Sequence, residues 1–304
     1  METQRHSTSI VKDRTVQPVA QHRRLEGVQA RMLVEAKQGR SIAVCIPARN
    51  ETATIGGIVG SIVNHLCREI PLVDEVIVLD HDSVDSTAEV SELAGARVIS
   101  ASQIAAHLGP ALGKGDVLWR SLLATEADII VWVDADLTLF DPSHVTRLVN
   151  PLLLDDRVSL VRGMHERYLN GQAEEGGRVT ELTARPLLKL FFPELAHIRQ
   201  PLGGEYAIRR SVAARVPFEV DYGVEIGLLI DIARMTGPES IMQVELGALA
   251  HRNRQLSQLH DQSVQIMIAL MCRVNDGALL SPGLQREPAN YVSRELTPSP
   301  DLAD

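Results

Sequence analysis

Cysteine, aromatic side chains and basic charge are all scarce in this 304-residue chain. The three cysteines, Cys45, Cys67 and Cys272, stand far apart in apolar or helical contexts. They offer neither a disulfide frame nor a zinc site, and read as small core residues of a reducing compartment. Aromatic residues make up 3% of the chain, too few for stacking platforms under single-stranded nucleic acid or long sugar chains. Lys and Arg number 30 against 39 Asp and Glu, a formal net charge of −9. That deficit disfavours sequence-general binding to nucleic-acid phosphates. No run of about 18 apolar residues is present to span a membrane. The opening stretch, Met1 to Ile10, is polar and lacks a hydrophobic signal core, so the cytoplasm is the expected location.

What remains is ordinary globular composition, 45% apolar and 23% charged, with length for one large domain or two small ones. The charge is uneven. Residues 1–40 hold eight basic and four acidic side chains, a net of +4 that leaves −13 for the rest. An acidic body that takes phosphorylated ligands needs a few well-placed cations or a metal.

Residues 1–38 form an extension that becomes helical over 25–37, where Leu25, Val28, Met32 and Ala36 fall at helical spacing. From about Ser281 the chain carries Pro282, Pro288, Pro298 and Pro300 and reads as an extended tail. Between them the pattern is regular. Ile42 to Ile46 is a buried strand, followed from Thr54 by a helix with Ile55, Ile58, Val59, Ile62, Val63 and Leu66 on one face. Strands follow at 75–80, 96–100, 128–133 and 241–246, and helices at 85–94 and through Trp119 and Leu122. Strands alternating with helices of this length predict an α/β fold with a mostly parallel central sheet and helices on both faces. Such sheets bind ligands beyond the carboxyl ends of their strands. Arg49, Asp80 and Asp134 fall there. The apolar helix around 264–271 suits either an interface or the core.

Three strand ends carry chemistry. Ile129 to Val133 is followed by Asp134-Ala135-Asp136, two carboxylates at a sheet edge. Hard oxygen ligands there suit Mg²⁺ or Mn²⁺ on a diphosphate, although acidic turn residues are also common after strands. Pro47-Ala48-Arg49-Asn50-Glu51 closes the first strand and opens a helix. It is either a plain turn or a loop that presents backbone N–H groups to a nucleotide. The third strand end is Asp80-His81-Asp82-Ser83-Val84-Asp85, where a carboxylate can bond a base or ribose and Asp85 serves as a helix cap.

Taken in order, these elements resemble the nucleotide-sugar-binding half of GT-A glycosyltransferases. Longer segments narrow the likeness: Leu108-Gly109-Pro110 through Gly113-Lys114-Gly115-Asp116 with Leu118-Trp119-Arg120, Gly176-Gly177-Arg178-Val179-Thr180-Glu181-Leu182, and Arg185-Pro186-Leu187-Leu188. Gln200-Pro201-Leu202-Gly203-Gly204-Glu205-Tyr206, Tyr222-Gly223-Val224-Glu225-Ile226-Gly227 and His251-Arg252-Asn253 extend it. From about Ile42 to Arg273 the chain resembles the actinobacterial glucosyl-3-phosphoglycerate synthases, retaining enzymes that move glucose from a nucleoside diphosphate to 3-phosphoglycerate.

That resemblance implies a GT-A domain over 39–280, with a nucleotide-sugar half at 39–140 and an acceptor half at 141–280. It also implies a divalent cation and a homodimer. It places Pro47, Ala48, Arg49, Asn50, Glu51, His81, Lys114, Asp134, Ala135, Asp136, Tyr222 and Glu225 around the donor. Gly177, Arg178, Thr180 and Asn253 go to the acceptor, and Asp136 with His251 to the metal. Asp134, Asp136 and Glu225 are the catalytic group. Lys114, among glycines, is a mobile point charge for base or phosphates. Arg178 and Thr180 can meet one oxyanion together, or be helix-start residues. Glu225 also suits a helix start through the dipole.

His81 and Asp82 stand where many GT-A enzymes have small or acidic residues, and His81 is neither, which leaves the donor base open between uridine, favoured, and guanosine. A short acidic loop at 171–177 leaves the acceptor open to other phosphorylated or carboxylated acids. A non-catalytic nucleotide-sugar binder is the alternative from another class, opposed by the intact Asp134, Asp136, Glu225 and His251. A polyprenyl-phosphate sugar transferase is disfavoured for want of membrane spans or basic amphipathic helices.

Overall fold

A computed structural model describes residues 30–169, 172–174, 177–249 and 258–274. Strand β1 (Ile42–Ala48) sends Ile42, Val44 and Ile46 into one apolar core and Ala43 and Cys45 into another, the period of two that a pleated strand imposes. Strand β4 (Ile129–Trp132) divides likewise, Ile129 and Val131 to one side and Ile130 and Trp132 to the other. Both faces of the sheet are therefore covered, as continuous apolar strands require.

Strand β2 (Glu75–Asp80) lies parallel to β1, and β3 (Arg97–Ser100) parallel to β2. β4 runs parallel to β1 on its other side. Beyond it come β5 (Leu160–Leu169), β6 (Gln172–Glu174), β7 (Tyr206–Arg209) and β8 (Ile241–Leu249). The path is β3-β2-β1-β4-β7-β5-β6, with β8 parallel to β5 and both contacts of β7 antiparallel.

One face is packed by a helix over 30–37 (α1), α2 (Ile55–Ile62), α3 (Thr87–Ala94) and α5 (Ser143–Leu154). The other is packed by α4 (Lys114–Ala124), α6 (Arg185–Phe191), the short α7 (Arg210–Ala213), α8 (Val224–Thr236) and α9 (Gln258–Met271). Every predicted strand is formed, and the apolar face from Ile55 to Leu66 is buried as predicted, its last turns widening to π-helix over Val63–Glu69. In α9, Ile266, Ala269 and Leu270 are buried in this chain's own core. The first five residues of the predicted helix at 25–37, and the tail from 281, lie outside the described residues.

Helix α1 is tied to the sheet by ions as well as packing. Lys37 Nζ bonds both Asp74 oxygens at 2.6 and 2.7 Å, and Asp74 Oδ2 also accepts the Ile42 amide at 2.7 Å, which locks the start of β1. All three cysteines are free, and burial pushes the Cys45 thiol up to about 12, an inert core residue. Among the described residues no helix is long and apolar enough to cross a membrane.

Candidate active site

The carboxyl ends of β1, β2 and β4, the start of α4 and the start of α8 surround a cavity of about 670 Å³. Pro47, Ala48, Arg49, Glu51, His81, Lys114, Asp134, Ala135, Asp136, Tyr222 and Glu225 line it. So do Gly177, Arg178 and Thr180, so the residues predicted for donor and acceptor open on one space. Asn50 stands behind this wall. Its backbone is left-handed at φ +59°, and its Oδ1 accepts the Val84 amide at 2.9 Å, which ties the β1 and β2 loops together. His251 and Asn253 lie outside the described residues.

Three amides of the β1 loop turn away from the cavity. Those of Asn50, Glu51 and Thr52 donate to Ser83 Oγ, Thr87 Oγ1 and Asp85 Oδ2 at 3.0, 2.8 and 3.4 Å. These three donors are thus spent within the protein, as in a plain turn. Asp85 is not the cap of α3, whose N-cap position is Ser86; it lies one residue earlier and accepts the Thr87 amide at 3.1 Å in a turn, and its hydrogen bonds from Thr52 and Thr87 bring its pKa down to about 2. His81 Nε2 lies 3.0 Å from the Ala111 carbonyl. A carbonyl only accepts, so Nε2 carries a proton and donates it to that bond.

Charge in the site is organised around Lys114. Its Nζ reaches Asp134 Oδ1 at 2.8 Å and Glu225 Oε1 at 2.9 Å. Burial works against the ammonium, but the two carboxylates outweigh it and hold its pKa well above the usual value. Glu225 lies in the first turn of α8 and is buried, so the helix dipole also favours its charge. Asp134 rests against Gly204, where any Cβ would collide with its carboxylate.

Asp136 behaves differently: burial first, and then the Asp134 charge, push its pKa up. Two carboxylates that resist joint ionisation form a site whose repulsion a hard divalent cation relieves. No group of three or more His, Cys, Asp or Glu residues able to hold a metal is present among the described residues. The Asp134–Asp136 pair thus fits an open site that shares its cation with a ligand.

Arg178 opens a helical segment over 178–184 that runs into α6, and buried Thr180 lies inside it. Thr180 is therefore not an N-cap, and both residues line the cavity.

The lining also includes Leu202, Glu205 and Asp221, to which no role had been attached. Glu205 is 3% exposed and bonds His165 Nε2 at 3.1 Å. Burial alone would raise its pKa, but the His165 hydrogen bond and charge, with Lys114 behind them, lower it. A glutamate directly before the apolar strand β7, after two glycines, was the available signal.

The model for glycosyl transferase family 2 matches residues 43–211. A glucosyl-3-phosphoglycerate synthase from Mycolicibacterium smegmatis is 47% identical over 253 residues, 81% of this chain and 82% of the relative. The crystal structure of the Mycobacterium tuberculosis glucosyl-3-phosphoglycerate synthase with Mn²⁺, UDP-glucose and phosphoglyceric acid superposes with a TM-score of 0.73 at 45% identity. It covers 80% of this chain and 84% of that one. The same M. tuberculosis enzyme with Mg²⁺ and UDP gives a TM-score of 0.74 at 44% identity, covering 81% and 84%.

Proposed function

The chain belongs to glycosyl transferase family 2 and, within it, to the glucosyl-3-phosphoglycerate synthases, and from that premise we propose that it transfers glucose from UDP-glucose to 3-phosphoglycerate with retention at the anomeric carbon. The observation that carries this is the shared cavity, in which Lys114, Asp134 and Glu225 face Arg178 and Thr180.

The β1 loop side chains and His81 form the nucleoside end. Asp134 orients ribose or sugar, and Glu225, fixed by Lys114 and the helix start, accepts hydrogen bonds from sugar hydroxyls. Asp136, with His251, would hold Mg²⁺ or Mn²⁺, and the charge of that ion would offset the negative charge on a departing diphosphate. Lys114 stays charged throughout and adds a second cation at the phosphates. Arg178 and Thr180, with Asn253, grip the acceptor's phosphate or carboxylate. The acceptor hydroxyl attacks the face the diphosphate leaves: its C1–O bond forms as the donor C1–O bond breaks, and its proton passes to the leaving phosphate oxygen. A cytoplasmic homodimer belongs to the same proposal, supported by the family likeness and by Leu182 and Leu190, which stand exposed on the helix over 178–191.

The full chain incubated with UDP-glucose, 3-phosphoglycerate and Mg²⁺ or Mn²⁺ is expected to yield an α-glucoside of 3-phosphoglycerate, read from its anomeric proton by NMR. GDP-glucose is expected to react more slowly. Release of free glucose alone, or a β-configured product, would overturn the proposal. Light scattering on the same preparation checks the dimer.

A further inference from the structure

Arg162 on β5 is fully buried and does not line the cavity. Only its Nη2 is bonded, to the carbonyls of Pro201 and Gly203 at 2.9 and 2.8 Å. Nε and Nη1 are buried without a hydrogen-bond partner. The guanidinium stands 4.6 Å over the Tyr206 ring.

Arg120 shows what a purely loop-pinning arginine looks like. It is equally buried, yet its Nε bonds Asp116 at 3.2 Å and its Nη1 and Nη2 bond the carbonyls of Ala101 and Gly109, each at 2.9 Å. A buried cation with open donors is costly, and an apolar side chain of similar volume would serve packing better. Departures of this kind gather at functional sites.

Two observations say what Arg162 serves. Its two carbonyl partners belong to the segment 201–204, which brings Leu202 and Gly204 into the cavity wall, and Gly204 is the surface on which the Asp134 carboxylate rests. The charges that act on the guanidinium, after the opposing effect of burial, are Tyr206, Glu225, Glu205 and Asp134, three of them cavity carboxylates.

We propose that Arg162 is a positioning residue for glucosyl transfer, an internal cation that holds segment 201–204 beneath Asp134 and balances Asp134, Glu205 and Glu225 from behind the cavity wall. It touches neither donor nor acceptor and acts through the groups that do. The proposal rests on the transferase function above.

Arg162→Met and Arg162→Lys in the full chain distinguish positioning from packing. Methionine keeps the volume and removes the charge; lysine keeps the charge but cannot span both carbonyls. The expected order of kcat is Arg, then Lys, then Met. The Met variant should lie at least about 30-fold below wild type with donor and acceptor KM within about threefold, the signature of an interaction that matters beyond ground-state binding. Rates are normalised to the folded fraction from circular dichroism. If Arg162 only packs, the order becomes Arg and Met together with Lys lowest, which overturns the proposal. If the Met variant does not fold, the Lys variant decides: kcat at least about fivefold down with unchanged KM supports the role, and wild-type kcat overturns it. No transfer by the wild-type chain run alongside overturns the proposed function instead.

Discussion

Lys114 joins two carboxylates that come from different parts of the chain, at 2.8 Å from Asp134 and 2.9 Å from Glu225. In the sequence it is marked only by flanking glycines and the family resemblance, because one sequence does not reveal which acids a loop lysine meets. Gly204 carries the same lesson. No motif says that a glycine at 204 supports a carboxylate at 134, yet a Cβ there collides with it. Gly204→Ala is accordingly expected to lower kcat by about 10²-fold or more while leaving acceptor KM near wild type, because a small displacement of a group that orients substrate is expensive. Steady-state kinetics with both substrates varied checks this, and an unchanged kcat would show that Asp134 can move without loss. Arg178→Ala should do the reverse, raising acceptor KM with little change in kcat, as loss of uniform binding does. A fall in donor affinity in that variant would place Arg178 at the wrong substrate.

At the scale of elements, the parallel half was legible because β1, β2 and β4 are short apolar runs that end in Pro47, Asp80 and Asp134. Their ends mark the site. β5 and β7 were not legible. β7 is four residues long, and β5 interrupts its apolar pattern with Arg162 and His165, both buried. Sequence periodicity counts those as surface residues. For the β1 loop the sequence left two readings open, and the amides of Asn50, Glu51 and Thr52, taken by Ser83, Thr87 and Asp85, agree with the plain turn. Loop-pinning by a buried charge also yields a stability prediction. Arg120→Met strips partners from Asp116 and from the carbonyls of Ala101 and Gly109. Breaking a buried pair this way costs about 3–5 kcal/mol, measurable as a fall in the urea midpoint. A shift below about 1 kcal/mol would mean that water replaces the arginine at those groups.

Across the whole molecule, the net charge of −9 conceals a local balance: carboxylates crowd the cavity, where Lys114 joins two of them, and buried titratable groups stand behind its wall. That arrangement makes stability sensitive to acid at a place away from the surface. His144 on α5 is 3% exposed, with its ring 5.5 Å from that of His165, which in turn bonds Glu205. Burial first, and then the His165 charge, lower its pKa from 6.5 to about 4. The sign follows from proton counting. Between these values the unfolded chain binds a proton at His144 that the folded chain refuses, so stability is full above about pH 6.5 and falls as pH drops toward 4. The loss from this group reaches about 3 kcal/mol. Glu205, whose pKa is lowered below its ordinary 4.5, adds a second loss confined to more acid conditions. His144→Leu keeps an apolar filling and removes the titration. Urea unfolding between pH 7.5 and 4.5 should therefore show a shallower decline in this variant than in the wild type, even if its stability at pH 7.5 is lower. Parallel declines would show that the folded protein accepts the His144 proton without penalty, and would move the source of acid sensitivity elsewhere in the core.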